Sequence, residues 1–166
     1  FFASQGIEMG DSLVEKEVLG LARELLDKAG EKLILPVDLV IGDSFSDDAA
    51  KKTIKVGDVP EGWMAMDIGP DTVELFKETI AASKTIVWNG PMGVFEFPGF
   101  SKGTFDLARI ISESKAMSII GGGDSAAAVK QTGLDQEITH ISTGGGASLQ
   151  MLEGASLPGL EAIHDK

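Results

Sequence analysis

The residues most able to do chemistry sit in Ser118–Val129, Ser-Ile-Ile-Gly-Gly-Gly-Asp-Ser-Ala-Ala-Ala-Val. An apolar run ends in three glycines, then an acid, a hydroxyl and a small-residue helix. Glycine has no Cβ, so a ligand can approach such a turn closely. The helix start offers unpaired N–H groups and the positive end of the macrodipole, which suits an anion such as phosphate. Asp124 would repel a bare phosphate. Its carboxylate makes sense beside one if it holds a cation, most simply Mg²⁺. Ile141–Leu152 repeats the layout as Ile-Ser-Thr-Gly-Gly-Gly-Ala-Ser-Leu-Gln-Met-Leu. The spacing leaves room for one helix and one strand between the copies. Both glycine turns are therefore expected at the same edge of a sheet, where open α/β folds bind ligands. The plainer reading, two tight structural turns, stands beside this one.

A third segment, Asn89–Phe100, follows the β-branched strand Thr85–Trp88. Glu96 lies between Phe95 and Phe97. It is either an exposed carboxylate beside core aromatics or an acceptor for a diol such as ribose. The loop Pro60–Gly69 carries Trp63, Met64 and Met66, as core cover or as a wall of a flat-ring pocket.

Elements to position these groups can be read along the chain. Ser12 with Glu15 reads as a capping box. Val14, Val18, Leu21 and Leu25 then share one helical face, and Gly30 is the stop. Lys32–Val37 is expected as a strand. Asp43–Lys52 reads as a solvated loop, and Thr53–Val56 as a short strand forming a hairpin with Val40 and its neighbours. Pro70 opens a helix with Val73, Phe76 and Ile80 on one face. Thr104, Leu107, Ala108 and Ile111 form the next face. Alternating strands and helices predict α/β, a doubly wound parallel sheet.

Composition narrows the chemistry. The net charge of −12 argues against nucleic acid as a partner, because neutralising phosphates takes Lys and Arg. Neither glycine segment contains a Lys or Arg. Phosphate charge must then be met by Mg²⁺, by helix N-termini or by cations outside this sequence. An apolar fraction of 43% suffices for a core, yet no run of ~18 apolar residues predicts a membrane span. Cysteine is absent, which fits a reducing, cytoplasmic location.

Several nucleotide and acyl-transfer signatures are missing. Gly121, Gly123 and Ala126 fit G-x-G-x-x-A, but no acid ends the next strand at Ser142-Thr143-Gly144. No glycine turn runs into Lys-Ser or Lys-Thr, so there is no Walker A sequence. His140 and His164 are the sole histidines, and a Ser-His acyl-transfer pair is not expected.

Val87–Glu96, Ile119–Ser125 and Ser142–Ser148, with Gly62–Asp67 and the closing Leu152–Gly159, resemble phosphoglycerate kinase in order and over the whole chain. The resemblance implies the nucleotide-binding C-terminal domain. Residues 1–166 would be most of it, without the substrate-binding N-terminal domain. Also missing would be this domain's first strand, the lysine-bearing glycine turn and most of the second strand. The implied fold is a three-layer, Rossmann-like doubly wound parallel sheet, incomplete at its N-terminal end, with strand order 3-2-1-4-5-6. Lys32–Val37 would be the third strand.

The resemblance also implies roles. Ala65 and Met66, where the family often has Gly and Leu, would line the adenine pocket. Pro91, Val94 and Phe95 would belong to the nucleotide site, with Pro91 and Val94 flanking base and ribose. Glu96 would bind the ribose hydroxyls, and Asn89 and Gly90 would face the phosphates. Gly122, Gly123 and Ser125 would bind phosphate oxygens, with Asp124 on Mg²⁺. Gly144–Gly146 would aim a second helix N-terminus at the phosphoryl group in flight, making Gly123, Gly145 and Gly146 the catalytic groups. The implied reaction passes a phosphoryl group from 1,3-bisphosphoglycerate to ADP, giving ATP and 3-phosphoglycerate. The full-length protein would be a monomer. A non-catalytic nucleotide-binding module is the rival reading, and the segment alone is expected to be inactive.

Overall fold

A computed structural model describes residues 1–162 of the chain. They fall into two compact units, one of residues 1–76 with 92–104 and the other of residues 77–91 with the described residues from 105 onward.

The first unit is built on β1 (Asp38–Gly42), with β2 (Lys51–Lys55) and β3 (Met64–Ile68) antiparallel on either side of it. The expected hairpin forms, with Val40 opposite Thr53. Leu39, Ile41 and Val59 are buried, and Phe2, Met9, Ile54 and Trp63 pack on them. Trp63 therefore serves as core cover, with the Lys52 ammonium 4.0 Å from its ring centroid.

Three expectations in this unit are corrected. The segment read as the loop Pro60–Gly69 contains β3. Its Met-Ala-Met-Asp-Ile sequence has little intrinsic strand preference, and pairing with β1 makes it a strand. Lys32–Val37 is not a strand; the ladder starts at Asp38. Pro36 has no N–H to give, and Val37 donates its own to the Thr72 hydroxyl, 3.0 Å away. Among the described residues no strand lies alongside this segment to form a ladder with it. The Ser12–Glu15 capping box does not form, because the Ser12 hydroxyl accepts the Ala65 N–H at 2.9 Å. The helix α1 starts later, at Leu19, and runs to Ala29. It ends as expected on Gly30, which has φ 51° and donates its N–H to the Leu26 carbonyl. Its apolar face is not buried: Val18, Leu21 and Leu25 are 42%, 54% and 43% exposed.

Helix α2 spans Pro70–Ala81. Its start is fixed by Asp38, which is buried at the beginning of β1. The carboxylate accepts the N–H groups of Asp71 (3.1 Å) and Thr72 (2.8 Å) and the Thr72 hydroxyl (2.6 Å). Lys55 pairs with Asp71 beside it.

The second unit holds a parallel sheet of β4 (Thr85–Asn89), β5 (Met117–Gly121) and β6 (His140–Ser142), in the order β4-β5-β6. Helices α4 (Gly123–Thr132) and α5 (Gly145–Leu152) follow β5 and β6 directly. The helix α3 (Lys102–Glu113) buries Thr104, Leu107, Ala108 and Ile111, the face expected from the sequence. The class is α/β and the parallel layer is Rossmann-like, as expected. A short α6 (Pro158–Glu161) follows.

Candidate functional site

In the second unit the strand register decides where the chemistry goes. Asn89 pairs with Gly121, and Gly121 with Ser142, so the three strands end in one row. Both glycine turns leave from that row, and the Gly122 N–H donates to the Ser142 carbonyl at 3.0 Å. The turns touch. A Cβ placed on Gly145 would lie 2.7 Å from the Gly122 Cα and 2.8 Å from the Asn89 Oδ1. Gly122 also has φ +97°, which an L side chain rarely adopts. Close approach and backbone conformation therefore both require glycine here.

Gly122 and Gly144 precede α4 and α5, and neither helix start has a side-chain cap. The first N–H groups of a helix have no intrahelical partner. Two sets of such donors thus start from one sheet edge. Gly123 and Asp124 are exposed in the first turn of α4. Ser125 is fully buried, and its Oγ accepts the Gly90 N–H at 2.7 Å. The Trp88 indole N–H donates to the Gly90 carbonyl, also at 2.7 Å. Gly90, at φ +98°, is thereby held from both sides.

In the first unit, Ala65, Met66 and Val94 line a cavity of about 530 Å³ with Met9, Leu13 and Phe45. The lining is mostly apolar, as a flat-ring pocket requires. The Val94 N–H donates to the Met66 carbonyl at 2.8 Å, which fixes the Val94 backbone on β3. Phe95 is buried, while Glu96 is exposed; among the described residues its carboxylate has no hydrogen-bonding or ionic partner. Phe97 packs on Phe45, ring centroids 5.1 Å apart.

Sequence reasoning missed the groups that hold these pieces. Asp38, Asp67 and Thr104 are buried and bond to backbone of other segments. Burial pushes the Asp38 carboxyl up, but hydrogen bonds from Thr72 and Asp71 and the Lys55 charge outweigh it, leaving the group below the ordinary aspartate range. The bond to Asp71 raises the Lys55 ammonium. An acid directly before or inside an apolar strand was the available signal, in Val-Asp-Leu-Val and Met-Asp-Ile.

Among the described residues no three His, Cys, Asp or Glu side chains gather to form a metal site, and no helix is long and apolar enough to cross a membrane. Asp124 still suits Mg²⁺ when phosphates are present. That ion binds by one or two carboxylates and completes its shell with waters and substrate oxygens.

The chain matches the family model described as phosphoglycerate kinase over residues 1–155. It is 54% identical to the phosphoglycerate kinase of Limosilactobacillus reuteri, over all of this chain and 41% of that protein. Identity to the Roseiflexus castenholzii phosphoglycerate kinase is 52%, over 99% of this chain and 42% of the relative. The structure of phosphoglycerate kinase from Coxiella burnetii superposes with a TM-score of 0.90 at 41% identity, covering 96% of this chain and 42% of that one. The Pyrococcus horikoshii OT3 phosphoglycerate kinase gives 0.84 at 34% identity, over 96% and 41% of the two chains. The chain thus spans about two fifths of the length of the relatives it matches.

Proposed function

The chain belongs to the phosphoglycerate kinase family, and from that premise we propose that it supplies the Mg-nucleotide side of phosphoryl transfer between 1,3-bisphosphoglycerate and ADP. The products are 3-phosphoglycerate and ATP. Residues 1–166 are read as most of the C-terminal domain of a cytoplasmic, monomeric enzyme. The N-terminal domain that takes the phosphoglycerate lies outside this sequence.

One observation carries the reading. Asn89, Gly121 and Ser142 end three parallel strands in one row, and two helices without side-chain caps start beside it. Phosphoryl transfer needs positioning and charge stabilisation rather than a covalent nucleophile. Free N–H groups at a glycine edge supply both.

The roles follow. Gly123 donates its backbone N–H to phosphate oxygens, while Gly122, whose own N–H is taken by the Ser142 carbonyl, keeps the turn bare for their approach. Ser125 keeps Gly90 in place for the same phosphates, and Asn89 faces them. Asp124 holds Mg²⁺, which offsets the charge of the nucleotide's phosphates when bound. Gly145 and Gly146 point the α5 N-terminus at the transferring group. In the first unit, Ala65, Met66, Val94 and Phe95 form base and ribose surroundings, and Glu96 accepts the ribose hydroxyls.

Isothermal titration of the full-length polypeptide with Mg-ADP, and a coupled ATP assay, test this. Micromolar-to-millimolar binding with turnover supports it. Binding without turnover favours a non-catalytic nucleotide module instead. Residues 1–166 alone should give neither ATP nor a cooperative melt. The exposed Val18, Leu21 and Leu25 and the lack, among the described residues, of a strand beside Lys32–Val37 support that expectation.

A further inference from the structure

We propose that Asp67 and Thr104 are positioning residues for nucleotide binding, clamping the segment that carries Val94 and Glu96 onto β3. The proposal rests on reading those two residues as base and ribose contacts.

The segment Met92–Glu96 must return along β3 after leaving β4. Besides the Val94–Met66 backbone bond, the Thr104 hydroxyl holds it. This side chain is fully buried, and its Oγ1 accepts the Met92 N–H at 3.0 Å and the Gly93 N–H at 3.2 Å. Thr104 is the third residue of α3. The start of that helix is in turn fixed by Asp67, 4% exposed, whose Oδ2 accepts the Gly103 N–H at 2.7 Å. Oδ1 accepts the Ile68 N–H at 2.9 Å.

Both segments abut the same carboxylate. A Cβ on Gly93 would meet an Asp67 oxygen well inside contact distance, and so would one on Gly103. Neither glycine has a positive φ, so close approach rather than conformation demands them. A buried carboxylate is tolerable only with donors around it, and here the donors come from the start of α3 and from β3 itself. Asp67 thus orders α3, and α3 orders the loop through one hydroxyl. Without that hydroxyl, two loop N–H groups lose their acceptor, and the nucleotide must order the loop when it binds.

The test uses Thr104→Val and Thr104→Ser in the full-length polypeptide that carries this segment. Valine keeps the shape and removes the acceptor; serine keeps the acceptor. Thr104→Val should raise the Mg-ADP Kd on the order of tenfold, the scale of one or two lost hydrogen bonds. The KM for phosphoglycerate should stay at the parent value, and Thr104→Ser should restore ADP binding. A lowered melting temperature with unchanged Kd would mean a structural role only and overturn the proposal, as would serine behaving like valine. If the valine variant does not fold, hydrogen exchange on the nucleotide-free parent decides. Slow exchange at Met92 and Gly93 supports the clamp, and fast exchange there overturns it. A parent that binds no Mg-ADP overturns the nucleotide reading and this inference together. A parent that binds, beside a valine variant that binds equally well, overturns the inference alone.

Discussion

Helices α2 and α3 start on buried carboxylates, whereas α4 and α5, which follow parallel strands, start on glycine. Asp38 accepts the N–H groups at the start of α2, and Asp67 accepts one at the start of α3. Gly122 and Gly144 leave α4 and α5 without side-chain caps. All four helix starts present the same partial positive charge. The first two are neutralised by the chain's own buried acids and serve the fold. The second two have no side-chain cap, and under the proposed function they take an anion from outside. An acid thus locks a helix start when it comes from a neighbouring strand, as Asp38 and Asp67 do. Asp124 lies in the first turn itself and is exposed, so it is open to a cation.

Changes that blur this contrast should have graded effects in the full-length polypeptide. Asp124→Ala should lower turnover on the order of 100-fold, about 3 kcal/mol of charge stabilisation. The melting temperature should hardly move, since an exposed first-turn acid contributes only ~0.3–1 kcal/mol to a helix. A near-normal rate at saturating Mg²⁺ would remove Asp124 from the metal site. Asp38→Asn should act the opposite way, costing roughly 2 kcal/mol of stability in urea unfolding, because an amide NH₂ must face backbone donors. Any loss of turnover should then follow the folded fraction.

Gly144→Asp converts an open helix start into a closed one. The backbone is at φ −88°, and a Cβ there meets only the Ser142 Oγ at 3.6 Å, so the side chain fits. Turnover should fall about tenfold by repulsion of the phosphates, with stability level or a few tenths of a kcal/mol higher. Unchanged turnover would mean that α5 does not face the transferring group.

Glu96→Gln should weaken Mg-ADP binding by roughly 1–2 kcal/mol and 2′-deoxy-ADP by less, on the scale of a charged hydrogen bond. Equal losses would move Glu96 away from the ribose. The smallest effect is one of pH. Asp38 sits below the ordinary aspartate range in the folded state, so its contribution is complete above that range. It is lost as pH falls through the folded value, and Asp38→Asn should flatten the acid limb of a stability profile.

The glycine turns, their shared edge and the helices behind them were legible because glycine triplets and β-branched runs are local signals. The hairpin around Val40 was legible for the same reason. β3 was not, since Met64–Ile68 carries no strand pattern and pairs through β1. Ser12 looked like a cap because its neighbours permit one, yet the Ala65 N–H claimed its hydroxyl. Lys32–Val37 had the right residues for a strand but, among the described residues, no neighbouring strand along which to form one.

The sequence by itself determined the α/β class, the order of the parallel strands' elements and the places where backbone must lie bare, because each depends on residues close together in the chain. Tertiary structure alone decided which helix starts are closed and which stay open. A cap reaching across tens of residues, from Asp38 to Thr72 or from Asp67 to Gly103, depends on strand register and burial rather than on local spacing.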